Sequence, residues 1–152
     1  MKERFSKRYK FSDWSGNEVP AVAAGVYAIW NDDQLFYCGM SGRRIEKALA
    51  DGKQKYGLIT RLNSHASGRL SGDQFCVYVA NRLVLPSISP EDLPRFSTGE
   101  LRLDSLTKQF IHDHLDYQYI IVSSSKEAYD VERLARLGEI FGVKPMLNPL
   151  NQ

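Results

Sequence analysis

Cysteine is scarce in this chain: of 152 residues only Cys38 and Cys76 carry a thiol. Both lie inside apolar runs, where free cysteine behaves as a small hydrophobe, so they read as two reduced core thiols, not as a disulfide framework or a zinc site. No run approaches the roughly 18 apolar residues that a membrane span requires. The opening Met1-Lys2-Glu3-Arg4-Phe5-Ser6-Lys7-Arg8 lacks the apolar stretch of a secretory signal. The expectations are no membrane partner and a cytoplasmic setting. An excess of one charge is missing too: 20 Lys+Arg against 18 Asp+Glu leave a net +2, too little to argue for a polyanion partner by itself. Internal repeats and low-complexity tracts are absent. What remains is ordinary, with 43% hydrophobic and 25% charged residues, which fits one compact domain over 1–152 and excludes a disordered or fibrous chain.

The charges are unevenly placed. Lys2, Arg4, Lys7, Arg8 and Lys10 precede the first apolar run, Arg43, Arg44, Lys47, Lys53, Lys55, Arg61 and Arg69 follow the second, and acidic residues gather from Glu91 to Glu139. One basic face results if the early elements lie together. The aromatic and β-branched runs Gly25 to Trp30 and Gln34 to Gly39 flank Asn31-Asp32-Asp33, residues that tolerate turn conformations, and so read as a hairpin. Alternation places Tyr27 and Ile29 on one face and Val26, Ala28 and Trp30 on the other. Arg43 to Ala50 has helical composition. A second helix over about 58–66 turns Leu58, Ile59 and Leu62 inward and sets Arg61 and His65 one turn apart. Gln74 to Ala80 reads as a strand, extending toward Leu85, and Pro86, Pro90 and Pro94 impose an irregular connection. A helix is expected from Thr98-Gly99-Glu100 to Leu115, a strand over Tyr117 to Val122, and a last helix capped by Ser123-Ser124-Ser125 that runs to about Phe141 before Gly142 and Pro145. The fold class is α+β: a small, mostly antiparallel central sheet with the hairpin inside it, flanked by helices.

Gly25-Val26-Tyr27 and Tyr37-Cys38-Gly39 sit a hairpin apart; Gly57 to His65 follows, then Val131-Glu132-Arg133-Leu134, then Lys144-Pro145-Met146-Leu147-Asn148-Pro149. In this order the chain resembles the GIY-YIG nuclease family over about 24–149. The two name motifs depart from the consensus only at their middle, apolar positions. The stretch between Tyr37 and Arg61 is closest in length to that of the restriction-endonuclease members. The run from 75 to 115 exceeds the minimal core and reads as an elaboration. The resemblance implies a nuclease fold with Tyr27, Tyr37, Arg61, His65, Glu132 and Asn148 at the site, Glu132 on the metal, and DNA as partner. It leaves Arg43, Arg44 and Lys47 as rivals to Arg61, and these three with Arg69 are candidate nucleic-acid contacts.

Phosphodiester hydrolysis sets demands that these residue types meet. A hard cation such as Mg2+ or Mn2+ prefers carboxylate oxygen, which Glu132 supplies, the rest of its shell being water and phosphate. The attacking water needs a proton acceptor. Tyr27 is favoured by the resemblance, whereas His65 is favoured by an imidazole pKa near 6.5 against a phenol near 10. Arg61 suits a fork of charge-assisted bonds to the scissile phosphate. Tyr37 orients water or phosphate, and Asn148 braces the site. Each has a bland rival: strand tyrosines pack, Glu132 pairs with Arg136 at i, i+4, and Asn148 before Pro149 is turn chemistry. His112 and His114 with Asp113 and Asp116 read as solvated surface, since i and i+2 side chains diverge on a helix. The expected activity is a metal-dependent DNA endonuclease of a restriction, mobile-element or defence kind; the alternative is a non-catalytic nucleic-acid-binding module. Cutting both strands takes a homodimer or two successive nicks.

Overall fold

The structure is a computed structural model that describes residues 1–151. Its central hairpin is built by β2 (Val22–Asn31) and β3 (Gln34–Ser41), preceded by a two-residue β1 (Tyr9–Lys10). Asp32 takes a left-handed φ of 51° between the two long strands, the turn role expected of an Asx residue. After α1 (Ile45–Ala50) and a short β4 (Tyr56–Gly57) come α2 (Leu58–Ser67), α3 (Gln74–Val79), α4 (Pro94–Ser97), α5 (Leu103–His114), β5 (Asp116–Val122) and α6 (Ser125–Leu137). The sheet runs β1-β5-β2-β3, all antiparallel, and β4 adds a brief parallel pairing at Val22 and Ala23 of β2. The expected α+β architecture is the observed one.

Period-two alternation sorts the β2 side chains to two helical layers. Tyr27 and Ile29 enter a core with Leu58, Leu62 and Ala66 of α2, Phe75, Cys76 and Val79 of α3, and Ile111 of α5. Val26, Ala28 and Trp30 face the other way, toward Val131 and Ala135 of α6 and Ile45 of α1. A bulge at Phe36 in β3, where Ile29 pairs with Tyr37 but Trp30 with Leu35, brings Phe36 and Tyr37 together onto the α2 side. The outer edge of β3 is closed by the tail: Met146 and Leu147 donate to the carbonyls of Leu35 and Phe36.

Three expectations are corrected. Gln74 to Ala80 is helical, not a strand: α3 passes into a π-helical turn at Ala80–Val84 and a 3-10 turn at Leu85–Ser87. Asp73 caps this helix by accepting the Cys76 N–H, and Phe75, Cys76, Val79 and Ala80 bury one helical stripe between α2 and α5. The following helix starts at Leu103, because Gly99 adopts a positive φ of 80° and Arg102 is extended. The last helix stops at Leu137, short of Phe141, because Gly138 and not Gly142 takes the left-handed cap. Its start is as read: Ser124 accepts from Glu127 N, and the Glu127 carboxylate accepts from Ser123 N. No helix among the described residues is long and apolar enough to cross a membrane.

Candidate active site

A cleft of about 380 Å³ opens beside β3 and is lined by Tyr27, Tyr37, Gly39, Met40, Arg43, Arg61, His65, Gln74, Phe75 and Glu132. Its walls come from both helical layers. Arg61 and His65 project from α2 on one side of the sheet, and Glu132 from α6, whose buried stripe packs the other. The two layers meet because β3 is an edge strand and Gly39 has no side chain to separate them. A Cβ on Gly39 would lie 2.3 Å from Tyr27 Oη and 2.5 Å from Cζ, so only glycine lets the tyrosine cross over this backbone. Gly25, at the start of the first motif, is equally confined: a Cβ there would meet Ile120 O at 2.3 Å and Leu58 Cδ1 at 2.4 Å.

From the cleft wall a hydrogen-bonded chain runs inward from phenol to carboxylate. Tyr27 Oη lies 2.7 Å from His65 Nε2, and His65 Nδ1 lies 2.7 Å from Asp73 Oδ2. Asp73 Oδ2 also accepts from Ser64 Oγ at 2.6 Å, while Oδ1 accepts the Cys76 N–H at 2.9 Å. All three chain members are buried. Burial pulls the Asp73 pKa up, but the hydrogen bonds and charge of His65, with those of Ser64 and Cys76 N–H, outweigh it and hold the carboxyl at about 2. Burial, more than Asp73 can offset, pulls the His65 imidazole below its ordinary 6.5. At neutral pH an ionised Asp73 accepts only, so Nδ1 carries the imidazole proton, Nε2 is a bare acceptor, and Tyr27 donates. Burial and the neighbouring Tyr37 push the Tyr27 phenol well above 10, and burial with the Glu132 charge pushes Tyr37 up to about 12. The His65 ring is held by aromatic packing, with centroids 4.7 Å from Phe75 and 5.3 Å from Tyr27.

Glu132 and Arg136 form the i, i+4 pair, with Arg136 Nη1 donating to Oε1 at 3.3 Å; their side chains are 17% and 27% exposed. Oε2 takes no hydrogen bond from the described residues. Arg136 Nε reaches on to the carbonyl of Asn148 at 2.9 Å. Asn148 lies outside the cleft wall. Its amide pairs with Cys38 as another strand would, Nδ2 donating to Cys38 O at 2.6 Å and Oδ1 accepting Cys38 N at 3.2 Å. The side chain therefore continues the ladder on the outer edge of β3, next to Tyr37.

Of the rival cations, Arg43 and Arg61 both line the cleft. Arg44 is tied through its backbone N–H to the Tyr56 hydroxyl, and Lys47 pairs with Asp51. Arg69 lines a different groove along α2, with Thr60, Asn63, Ser64, Ser67 and Ser71. Glu132 is the one carboxylate on the cleft, an oxygen donor of the kind a hard cation prefers, and it lies beside two phenol groups; no cluster of three ligating side chains occurs among the described residues. His112 turns to the Ala66 carbonyl at 2.7 Å, away from His114. The reading of sequence alone missed Asp73, Gln74 and Phe75. A signal for Asp73 was present: a capping residue directly before an apolar stripe at i, i+1, i+4 spacing. Comparison with family models, curated proteins and solved structures finds no significant match for this chain.

Proposed function

We propose that the chain is a divalent-metal-dependent endonuclease, akin to the GIY-YIG family, that hydrolyses DNA phosphodiester bonds by direct attack of water. The observation that carries this reading is the meeting of Tyr27, Tyr37, Arg61, His65 and Glu132, drawn from four elements and both layers, on one cleft. The distinction between Tyr27 and His65 as base becomes a division of labour. Tyr27, facing the cleft, takes a proton from water as its own hydroxyl proton passes to His65 Nε2, so no free phenolate forms despite the raised phenol pKa. Arg61, with Arg43 on the same cleft, holds the phosphate and meets the charge that grows on its oxygens as the phosphorus to sugar-oxygen bond breaks. Glu132 would hold Mg2+ or Mn2+, which when bound neutralises charge on the phosphate and on the leaving oxygen. With one protein carboxylate on it, the ion would take its remaining ligands from water and from DNA phosphate. Arg69 and the hydroxyl-rich groove along α2 offer further backbone contacts. Buried free Cys38 and Cys76 suit a cytoplasmic setting. Each cleft cuts one strand, so a double-strand break takes a homodimer or two nicks.

The test is supercoiled plasmid incubated with wild-type protein and with Glu132→Gln, each with magnesium, manganese or chelator. Wild type relaxes or linearises the plasmid only with metal, and the variant loses roughly 10²- to 10³-fold in rate. Because the Glu132–Arg136 pair is partly exposed, its removal changes stability by only about 0.5 kcal/mol, and DNA binding by gel shift persists. A salt-dependent gel shift without cleavage by wild type would identify a binding module instead. Equal cutting by both proteins would remove Glu132 from the site.

A further inference from the structure

Asp73 belongs to none of the motifs that led to the cleft, and its side chain is 0% exposed. A buried carboxylate is costly unless its oxygens are matched. Here both are: Oδ1 by the Cys76 N–H of its own helix, Oδ2 by Ser64 and His65. Capping explains the first oxygen but not the second, which is spent on one ring nitrogen of the residue that contacts Tyr27. We infer that Asp73 is a positioning residue of the cleft: it fixes His65 as the tautomer protonated on Nδ1, so that Nε2 stays free to take the Tyr27 proton. Its catalytic part rests on the nuclease reading above; the tautomer does not. When the proton moves from Tyr27 Oη to Nε2, the imidazole becomes a cation directly against an anion 2.7 Å away, with no reorganisation needed. The aromatic rings of Tyr27, Tyr37 and Phe75 prevent the imidazole from turning to present the other nitrogen.

Asp73→Asn separates the cap from the tautomer. The asparagine Oδ1 still accepts from Cys76 N–H, which directs Nδ2 at Ser64 and at His65 Nδ1. A donor there requires a bare Nδ1, so the imidazole proton moves to Nε2 and points at Tyr27 oxygen, and the proton transfer is blocked. Asp73→Ser keeps a capping oxygen but is too short to reach the ring. Imidazole nitrogen spectra, taken with His112 and His114 replaced by glutamine so that His65 alone is seen, should show Nδ1 protonated in the wild type and Nε2 protonated in Asp73→Asn. Plasmid cleavage should lose roughly 10²- to 10⁴-fold in kcat with KM within about threefold, and Asp73→Ser should lose kcat as well. Cleavage by wild type with undiminished kcat in both variants would overturn the inference and leave Asp73 as a helix cap, the nuclease reading standing. An unchanged tautomer in Asp73→Asn would overturn it as well. No cleavage by wild type would remove the nuclease reading and, with it, any catalytic role for Asp73.

Discussion

Replacing Gly39 by alanine adds a single carbon where the cleft is tightest. The new Cβ would lie 2.3 Å from Tyr27 Oη, 2.5 Å from Cζ and 3.1 Å from Cε1, distances at which something must move. Tyr27 is 2% exposed and its ring is stacked near Tyr37 and edge-on to His65, so it cannot shift without disturbing both rings. Gly39 is itself paired with Tyr27 across the ladder, so the strand resists as well. Overpacking of this kind costs about 1–3 kcal/mol, which for a domain of this size lowers Tm by roughly 3–10 °C. Displacing Oη also breaks the 2.7 Å contact with His65, and misplacement by about 1 Å is enough for a 10²-fold loss of rate. The assay is a double-mutant cycle: Tm and plasmid cleavage for wild type, Gly39→Ala, Tyr27→Phe and the pair. Because the nearest atom is the hydroxyl, the stability cost of Gly39→Ala should shrink in the Tyr27→Phe background by at least 0.5 kcal/mol, without vanishing, since Cζ remains. Strict additivity, or a Gly39→Ala protein as stable and active as wild type, would refute the close approach of tyrosine to backbone.

Two further outcomes follow from the buried chain and the tail. Asp73 titrates at about 2 in the folded protein against an ordinary 3.8, so it contributes about 2 kcal/mol that is fully present above pH 4 and lost as the pH falls toward 2. His65, depressed below 6.5, acts in the same direction from that pH downward, because the unfolded chain then binds the proton that the folded one refuses. Thermal melts between pH 7 and pH 2 should show Tm falling monotonically, with the fall below about pH 4 shallower in Asp73→Asn; a flat wild-type profile would contradict the burial of this pair. Asn148→Ala removes two hydrogen bonds to Cys38, about 1 kcal/mol each, and should lower Tm by roughly 5 °C while slowing cleavage more than it weakens DNA binding. A variant with unchanged stability would show that the tail does not hold β3.

Much of the scaffold is legible in the chain because local and tertiary preferences agree there. The hairpin is one such place: Val26 to Trp30 alternates cleanly, and Asp32 accepts the positive φ that the turn needs. The failure at Gln74 to Ala80 has the opposite cause. Phe-Cys-Val-Tyr-Val is rich in strand-favouring residues, yet its apolar positions also fit a helical stripe, and the tie is broken outside the run by the Asp73 cap and by burial between α2 and α5. That same cap is why the site was only partly readable. Tyr27, Tyr37 and Glu132 are separated by up to 105 positions, and no spacing rule shows that α6 can reach round an edge strand to meet two phenol groups from the other layer. Asp73 is further from pattern still, because its two oxygens serve different tasks, one local and one tertiary. A residue that both starts a helix and bonds the His65 ring ties the run over 75–115 to the geometry of the cleft. Shortening that segment should therefore disturb His65 before it disturbs the sheet, since the sheet makes its ladder from β1, β2, β3 and β5 alone apart from the brief β4 pairing.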